Sequence, residues 1–350
     1  MATATIPEFK IETAVRKAVP LLISLSGTSG SGKTFSGLLL AAGIAGDTGR
    51  VGMIDTENGR GSLYADDPDI RAALPGGYDR MDFYAPFSPE RYTAAINAME
   101  KAGVTVCIID STTHEWEGEG GCCDIAENNK LKGMPNWAKA KLAHKKFMAH
   151  CLSSPMHIIF CLRAREKVKI TPDSKVIPIG IQPVAEKSFV FEQLLSLQFD
   201  EATHKASPIK VPKMLSLFSE PRLISKADGE RIRKWNESGR PIESDELLQK
   251  RSASVALGGT AAYAEFFEGL SAKEKRMLAA TVHSNNKALA QRADEEAAAS
   301  EGVNYQIGNL QDLDDFPDPM SYEPGTPVKV KGSVYVSNSD RSGWQAWKEN

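Results

Sequence analysis

The 350-residue sequence predicts an α/β fold, in which helices cover a mainly parallel β-sheet and a phosphate-binding loop lies at the edge of the sheet. Three observations support this prediction. Short apolar segments alternate with segments of helical periodicity over about the first 225 residues. A glycine-rich octapeptide follows the first apolar segment, and two later apolar segments each end in an acidic residue. Continuous apolar strands are typical of parallel sheets that are buried on both faces.

The first predicted unit is a strand, a loop and a helix. Residues 18–25 are apolar and suit a buried strand, whereas residues 35–44 are rich in apolar and small side chains and suit a helix. Between them, residues 27–34 read Gly-Thr-Ser-Gly-Ser-Gly-Lys-Thr, the complete P-loop pattern G-x-x-x-x-G-K-[ST]. The glycines allow backbone N–H groups to surround a phosphate at a helix N-terminus. The unit therefore predicts binding of a nucleoside triphosphate.

The residue types of the P-loop predict individual roles and the cofactors ATP and Mg²⁺. Lys33 is expected to reach the β- and γ-phosphates, and the Thr34 hydroxyl is expected to ligate Mg²⁺. The residues predicted to contact the nucleotide are Gly27, Thr28, Ser29, Gly30, Ser31, Gly32, Lys33, Thr34 and Phe35.

Two further strands each deliver a carboxylate to the same edge of the sheet. Residues 50–55 form a short apolar strand that leads into Asp55-Thr-Glu57, and residues 104–110 form an apolar strand that ends in Asp110. An aspartate in the position of Asp110 holds Mg²⁺ through its water shell. Glu57 is suited to deprotonate the attacking water. The alternative for Glu57 is an ordinary acid in a surface turn.

The rest of the chain predicts further elements and a change of character near residue 225. Helical spacing covers 89–102 and 137–152, and strands are expected at 157–162, 190–199 and 209–218. A short polar helix at 228–236, a helical region at 260–298 and a small β-hairpin at 328–336 follow. The predicted segments are an N-terminal extension (1–18), a P-loop NTPase domain (19–225), a helical region (226–298) and a flexible acidic linker with a short β-like tail (299–350).

Over about residues 19–225 the order of these motifs resembles the RecA-type recombinase core. The motifs are the P-loop, Asp55-Thr-Glu57, Ile108-Ile-Asp-Ser111 and Ile158-Ile-Phe-Cys-Leu-Arg163. The resemblance implies a RecA-like fold, with Glu57 as the catalytic base and Tyr64 against the adenine. It also implies that Arg163 senses the γ-phosphate, at a position where the family usually has glutamine.

A more particular resemblance comes from residues 110–121, which read Asp-Ser-Thr-Thr-His-Glu-Trp-Glu-Gly-Glu-Gly-Gly, together with Pro135-Asn-Trp137. This sequence pattern resembles that of compact RecA-like ATPases of the AAA family that are encoded by bacteriophages. Some of these are linked to single-strand annealing recombination. The resemblance implies that the segments after Asp110 and after Arg163 are two loops that hold DNA.

The charge distribution favours the same two loops. Residues 130–175 contain eleven basic and two acidic side chains, in a chain whose formal net charge is −3. Aromatic faces on a basic surface suit stacking of single-stranded bases. The alternative is a solvated helix face beside two core tryptophans. The residues predicted to contact single-stranded DNA are Trp116, Trp137, Lys139, Lys145, Lys146, Arg165, Lys167 and Lys169.

Composition excludes several other classes of protein. The net charge gives no general affinity for nucleic acid or for anionic membranes, and the apolar segments are about half of the roughly 20 residues that a membrane span needs. The first residues show no signal-peptide pattern, so the prediction is a cytoplasmic protein, in the host cytoplasm if phage-encoded. The five cysteines form no C-x-x-C pair and predict reduced structural thiols. The spacing of His114 and His144 predicts no metal site.

The predicted function is Mg²⁺-dependent ATP hydrolysis by a protein that acts on single-stranded DNA in phage recombination or replication. The sequence indicates no arginine finger in the same chain, which predicts a homo-oligomer. Lys187 and Lys213 are candidates for a contact across subunits, and the alternative for each is an ordinary surface lysine. A single-strand-binding protein is a further candidate partner. Two alternatives stay open: a small-molecule or nucleotide kinase whose lid is residues 162–175, and an ATP-dependent switch or scaffold without catalysis.

Overall fold

A computed structural model of the protein describes residues 13–130, 134–170, 176–242, 244–278 and 280–301, and the short segments 312–313, 327–331, 333–337 and 344–346. An eight-stranded sheet lies at its centre. Its strands are β2 (Leu22–Gly27), β3 (Val51–Asp55), β4 (Asp79–Asp82), β5 (Val106–Asp110), β6 (His157–Ile170), β7 (Val176–Pro183), β8 (Leu195–Phe199) and β9 (Ala206–Lys210). A separate short strand, β1 (Lys17–Ala18), pairs with β10 (Arg240–Pro241).

The order of strands across the sheet is β4-β3-β5-β6-β2-β8-β9, and β7 pairs with the outer part of β6. The six strands β4, β3, β5, β6, β2 and β8 are parallel to one another. The strands β7 and β9 run antiparallel to their neighbours β6 and β8. The strands β2, β3 and β5 are buried along their whole length, which explains their continuous apolar sequences. Asp55 lies opposite Asp110, and Gly27 lies opposite Arg163, so the predicted site residues meet at one edge.

Helices cover both faces of the sheet. The helices of the first 200 residues are α1 (Lys33–Ala45), α2 (Pro68–Ala73), α3 (Pro89–Lys101), α4 (Thr113–Glu117), α5 (Cys122–Asn128), α6 (Trp137–Ser153) and α7 (Phe189–Glu192). On one face Leu38 and Ile44 of α1 belong to the same core as Ile108 of the sheet. On the other face, buried side chains of α3 and α6 pack against the alternate side chains of the strands, such as Phe160 of β6.

The chain continues into helices that pack on this domain. They are α8 (Lys226–Glu237), α9 (Ser244–Ala256), α10 (Thr260–Gly269), α11 (Ala272–Met277) and α12 (Ala280–Glu301). The helix α8 crosses α1, and both α9 and α12 contact α6. The predicted capping box is present, because Ser271 and Glu274 bond to each other's backbone N–H groups. The predicted helical region after the NTPase domain is therefore confirmed, and it is docked.

Four short strands form a second sheet near the end of the chain: β11 (Asp312–Leu313), β12 (Pro327–Val330), β13 (Ser333–Ser337) and β14 (Trp344–Ala346). The antiparallel pair β12–β13 confirms the predicted hairpin. Most of the predicted acidic linker lies outside the described residues. In the described part of the chain, no helix combines the length and the apolar character that a membrane crossing requires.

Two of the predicted strands are wrong in part. Residues 190–192 belong to the helix α7, and only Leu195–Phe199 is strand, because a short apolar run fits either a helix or a strand. The run predicted at 209–218 is strand only to Lys210, after which Lys213–Phe218 is a 3₁₀ helix. Pro212 has no N–H to donate to a strand and has the φ angle of a helical start, which explains the change.

Candidate nucleotide-binding site

The P-loop joins β2 to α1 at the edge where the predicted site residues converge. Gly30 and Gly32 have φ angles of +82° and +89°, which side chains other than glycine rarely adopt. These two residues turn the chain into the N-terminus of α1. The Lys33 ammonium folds back over the loop, 3.0 Å from the Gly27 carbonyl oxygen and 2.6 Å from that of Thr28. Burial lowers the pKa of Lys33, and its cationic end lies where the loop is shaped to receive phosphate.

The two predicted magnesium ligands are in direct contact. Thr34 donates a hydrogen bond to Asp110 Oδ2 at the end of β5. Burial raises the pKa of Asp110 to about 6, against the lowering effect of the Thr34 hydrogen bond. A cation beside this carboxyl would favour its ionised form. A hydroxyl and a carboxylate are oxygen ligands of the kind that Mg²⁺ binds, so this donor pair fits the ion.

The Glu57 carboxylate is held by an arginine that is distant in the sequence. Arg163 Nη2 lies 2.6 Å from Glu57 Oε2 and 2.7 Å from Oε1, and Nε lies 3.0 Å from Oε1. These hydrogen bonds raise the pKa of Arg163. The arginine side chain is 46% exposed and that of Glu57 is 18% exposed. The predicted base and the predicted phosphate sensor are thus paired with each other.

A second acid, Asp55, fixes the turn that carries Glu57. Asp55 Oδ1 accepts a hydrogen bond of 2.8 Å from the Glu57 backbone N–H, and Oδ2 accepts one of 2.8 Å from the Gly61 N–H. Arg80 pairs with Asp55 Oδ2 at 3.2 Å. The Asp55 side chain is 1% exposed. The sequence prediction gave this residue no separate role, although its position two residues before Glu57 was visible.

His114 joins this turn to the segment after β5. Its Nδ1 lies 2.7 Å from Thr56 Oγ1, and that hydroxyl also accepts a 2.6 Å hydrogen bond from the Ser111 N–H. The ring stacks on Phe87, with 4.8 Å between the ring centroids. Burial, followed by the charge of Arg163, lowers the pKa of His114. The sequence gives no signal that His114 contacts the turn of Glu57.

Other side chains border the P-loop. Tyr64 lies beside Phe35, with ring centroids 6.3 Å apart, and its hydroxyl interacts with the Thr34 side chain. On the opposite side, the turn between β8 and β9 contacts the loop. Thr28 donates a 2.8 Å hydrogen bond to Glu201, and the His204 ring lies over Gly32. The sequence analysis missed this turn, because nothing in its residues points to the P-loop.

The two tryptophans predicted to stack on DNA instead stack on each other. The ring centroids of Trp116 and Trp137 are 5.7 Å apart at an interplanar angle of 23°. Both are partly buried against a small core of Cys122, Ala126 and Ala140. This arrangement matches the alternative of two core tryptophans better than two free aromatic faces.

The predicted lysines of α6 have different surroundings. Lys139 lies 3.2 Å from Asn129 Oδ1, and Lys145 is exposed. Hydrogen bonds from Thr260, followed by the charge of Lys146, lower the pKa of Asp294 in α12. The docked C-terminal helices therefore share this side of α6 with the basic residues. Lys187 and Lys213 are exposed.

The remaining predicted DNA contacts lie on a β-ribbon formed by β6 and β7. Arg163, Arg165 and Lys167 occupy alternate positions of β6, which point to the same face. Arg165 pairs with Glu117 of α4 at 3.4 Å, so the segments after Asp110 and after Arg163 meet. Position 169 is paired with Ile177 in this ribbon, but the Lys169 side chain lies outside the described residues.

A P-loop between a buried strand and a helix, with the Thr34–Asp110 oxygen pair, defines a P-loop NTPase. One strand, β6, separates the P-loop strand from the strand of Asp110, and the predicted α/β fold with a mainly parallel sheet is confirmed. The chain belongs to the AAA domain family, which matches residues 20–220. Bacteriophage origin and a role in recombination stay predictions.

Among solved structures, the KaiC-like protein from the hyperthermophilic archaeon Pyrococcus horikoshii OT3 is similar to this chain. The sequences are 14% identical, the match covers 57% of this chain and 88% of that one, and the TM-score is 0.30. No curated protein matches the chain.

Proposed function

We propose that the protein hydrolyses ATP with Mg²⁺ and that single-stranded DNA binding is coupled to hydrolysis. The observation that carries the proposal is the convergence of Lys33, the Thr34–Asp110 pair and Glu57 at one edge of the sheet. Cation, metal ligands and base are the parts that phosphoryl transfer to water requires.

In the proposed mechanism, Lys33 and the backbone N–H groups of residues 28–34 hold the phosphates, and Thr34 and Asp110 hold Mg²⁺. When bound, Mg²⁺ neutralises charge that develops on the phosphate oxygens. Glu57 orients the attacking water and accepts its proton. Arg163 positions the Glu57 carboxylate through three hydrogen bonds and provides a cation beside the transferred phosphoryl group.

The DNA part of the proposal rests on the ribbon. A row of basic side chains begins at Arg163, which pairs with Glu57, and continues on one face through Arg165, which pairs with Glu117, to Lys167. Phosphate contacts from such a row give affinity for nucleic acid without sequence preference. We place this activity in phage recombination or replication, in the cytoplasm. A homo-oligomer completes the site from a neighbouring subunit, and a single-strand-binding protein is a candidate partner.

The kinase alternative is less well supported. Its lid was predicted at residues 162–175, and the described part of that segment is a strand, paired along Ala164–Ile170 with β7. A paired ribbon that leads away from the sheet is poorly suited to close over a phosphoryl acceptor. Measurement of ATP hydrolysis by the wild type distinguishes the proposed ATPase from a switch without catalysis.

The test is steady-state ATP hydrolysis with and without single-stranded DNA, on the wild type, Lys33→Ala and Glu57→Gln. We expect DNA-stimulated hydrolysis by the wild type, and loss of hydrolysis by at least about 100-fold in Glu57→Gln with nucleotide binding retained. Lys33→Ala should lose both. Hydrolysis that is indifferent to DNA would remove the DNA part, and binding without hydrolysis in the wild type would favour the switch.

A further inference from the structure

A second cluster of reactive side chains is buried between α4, α5 and α6. Glu115, Cys122 and His144 are 1%, 0% and 5% exposed. Cys122 Sγ lies 3.2 Å from Glu115 Oε1, and His144 Nδ1 lies 3.1 Å from both carboxylate oxygens. One ligand atom from each residue lies within 4.8 Å of the other two. The cluster has no part in the proposed hydrolysis of ATP.

We propose that Glu115, Cys122 and His144 bind a zinc ion. A thiolate, an imidazole and a carboxylate form a donor set that zinc accepts, whereas Mg²⁺ and Ca²⁺ take oxygen ligands. Bond lengths of about 2.0 to 2.3 Å in a tetrahedral site separate the ligand atoms by roughly 3.2 to 3.7 Å. The separations of 3.1 and 3.2 Å from the Glu115 carboxylate are close to this range. The Cys122 and His144 ligand atoms lie within 4.8 Å of each other, so the ion would draw these two side chains together by up to about 1 Å.

A divalent cation in this position leaves the cluster electrically neutral. The described part of the chain gives the buried Glu115 carboxylate an ion-pair partner in His144, and none among lysines or arginines. On zinc binding, Cys122 loses its thiol proton to solvent. His144 also releases the Nδ1 proton that faces Glu115, so Nδ1 offers a lone pair to the ion while Nε2 keeps its proton. One carboxylate and one thiolate then neutralise the two positive charges of the ion, which lowers the cost of burying the cluster.

The surroundings and the position of the cluster indicate a structural role. The Trp116 ring packs edge-on against His144, with 5.8 Å between the ring centroids, and Phe189 also lies against the histidine. Three protein ligands leave the fourth position to a water, so this site differs from the usual structural zinc site with four protein ligands. The ion would join α4, which follows Asp110 directly, to α5 and to the long helix α6. It would thereby fix the segment that leads from the nucleotide site to the Trp116–Trp137 pair.

The first experiment measures the metal content of the full chain by mass spectrometry, after expression with added zinc and purification without chelators or metal-affinity steps. We expect about one zinc per chain in the wild type and at least about a tenfold lower content in Cys122→Ala. Cys123→Ala is the matched control, because this neighbouring cysteine is only half-buried and lies outside the cluster. Asp110→Ala should keep the zinc, which separates this site from the nucleotide site.

The second experiment adds Co²⁺ to protein stripped with a chelator and records the near-ultraviolet band of cobalt–thiolate charge transfer. We expect the band in the wild type and in Cys123→Ala, and not in Cys122→Ala. His144→Gln provides a second variant, with circular dichroism as the check on folding. A wild type that contains no zinc and takes up no Co²⁺ would overturn the proposal and leave a purely hydrogen-bonded cluster. Neither readout depends on ATP hydrolysis.

Discussion

The position of the Glu57 carboxylate depends on two residues, one on each side of it. Asp55 fixes the backbone of the turn, and Arg163 fixes the carboxylate itself. Buried and hydrogen-bonded on both oxygens, Asp55 is a positioning residue. Since a displacement of about 1 Å can cost about 100-fold in rate, this support matters for the proposed catalysis.

We expect Asp55→Asn to lower kcat for ATP hydrolysis by about 10- to 100-fold while the affinity for nucleotide changes little. The amide keeps the shape of the side chain but loses the charge that faces Arg80, and one of its two hydrogen-bond acceptors becomes a donor. Asp82→Asn is the matched control, because Asp82 also pairs with Arg80, whereas Asp55 is the acid that accepts the hydrogen bonds from the backbone of the Glu57 turn. Hydrolysis rates and nucleotide titrations check the prediction; equal kcat values for the two variants would contradict it.

His157 makes the stability of the fold dependent on pH. Its Nδ1 accepts a 3.1 Å hydrogen bond from the Leu21 N–H, and burial lowers its pKa to about 4 from 6.5. Below about pH 6.5 the unfolded chain binds a proton that the folded chain does not. The free energy of unfolding therefore decreases as the pH is lowered from about 6.5 to about 4. We expect His157 to account for about 2 kcal/mol of lost stability between about pH 7 and pH 5.

The measurement for His157 is urea unfolding of the wild type, His157→Asn and the exposed control His204→Asn at both pH values. His157→Asn should show a smaller loss of stability at low pH, whereas the control should follow the wild type. His150, whose pKa burial also lowers to about 4, contributes a similar dependence that stays in all three proteins. An equal loss in His157→Asn would rule out this origin.

At the scale of elements, α8 packs across α1, the helix that follows the P-loop. The two helices meet at Gly43 and Gly229 with almost no space between their backbones. A Cβ atom on Gly229 would lie 2.2 Å from the Leu40 carbonyl oxygen, and one on Gly43 would lie 2.1 Å from the Lys226 carbonyl oxygen. Glycine at both positions lets α8 lie directly on the helix whose N-terminus forms the phosphate site.

We expect Gly229→Ala to destabilise the protein by about 1 to 3 kcal/mol, because the methyl group forces α8 away from α1. Gly269→Ala, at the end of α10, is the control; a Cβ there would meet no atom within 4 Å. Thermal unfolding of both variants gives the comparison. A loss in Gly229→Ala no larger than in Gly269→Ala would show that the crossing tolerates a side chain.

The same elements show how far the sequence predicts this fold. The strands β2, β3 and β5 were predicted because burial on both faces requires continuous apolar residues. The pairing of Glu57 with Arg163 joins residues 106 positions apart, and no local pattern fixes such a distance. Likewise, the sequence placed Trp116 and Trp137 beside the same basic region but did not show that they stack on one another.

At the scale of the whole molecule, the C-terminal helices are docked on the NTPase domain through a buried ionic contact. Arg251 of α9 pairs with Glu100 of α3 at 2.8 Å, and the Glu100 side chain is 5% exposed. Ser154, which follows α6, donates a 2.7 Å hydrogen bond to the same carboxylate. Three elements that are distant in the sequence therefore meet at one acid, and the docked helices are expected to unfold together with the domain.

We expect Arg251→Met to destabilise the whole protein by about 2 to 3 kcal/mol, because it leaves the Glu100 carboxylate buried without a cation. The side chain of Arg251 is itself 31% exposed, so Glu100→Gln should cost less, since the freed guanidinium can turn to solvent. The double variant should recover part of the loss, with a coupling energy of about 1 to 2 kcal/mol. Urea unfolding followed by the tryptophans of the NTPase domain measures all four proteins. If the helices were independent of the domain, Arg251→Met would leave this transition unchanged, and the coupling energy would be near zero.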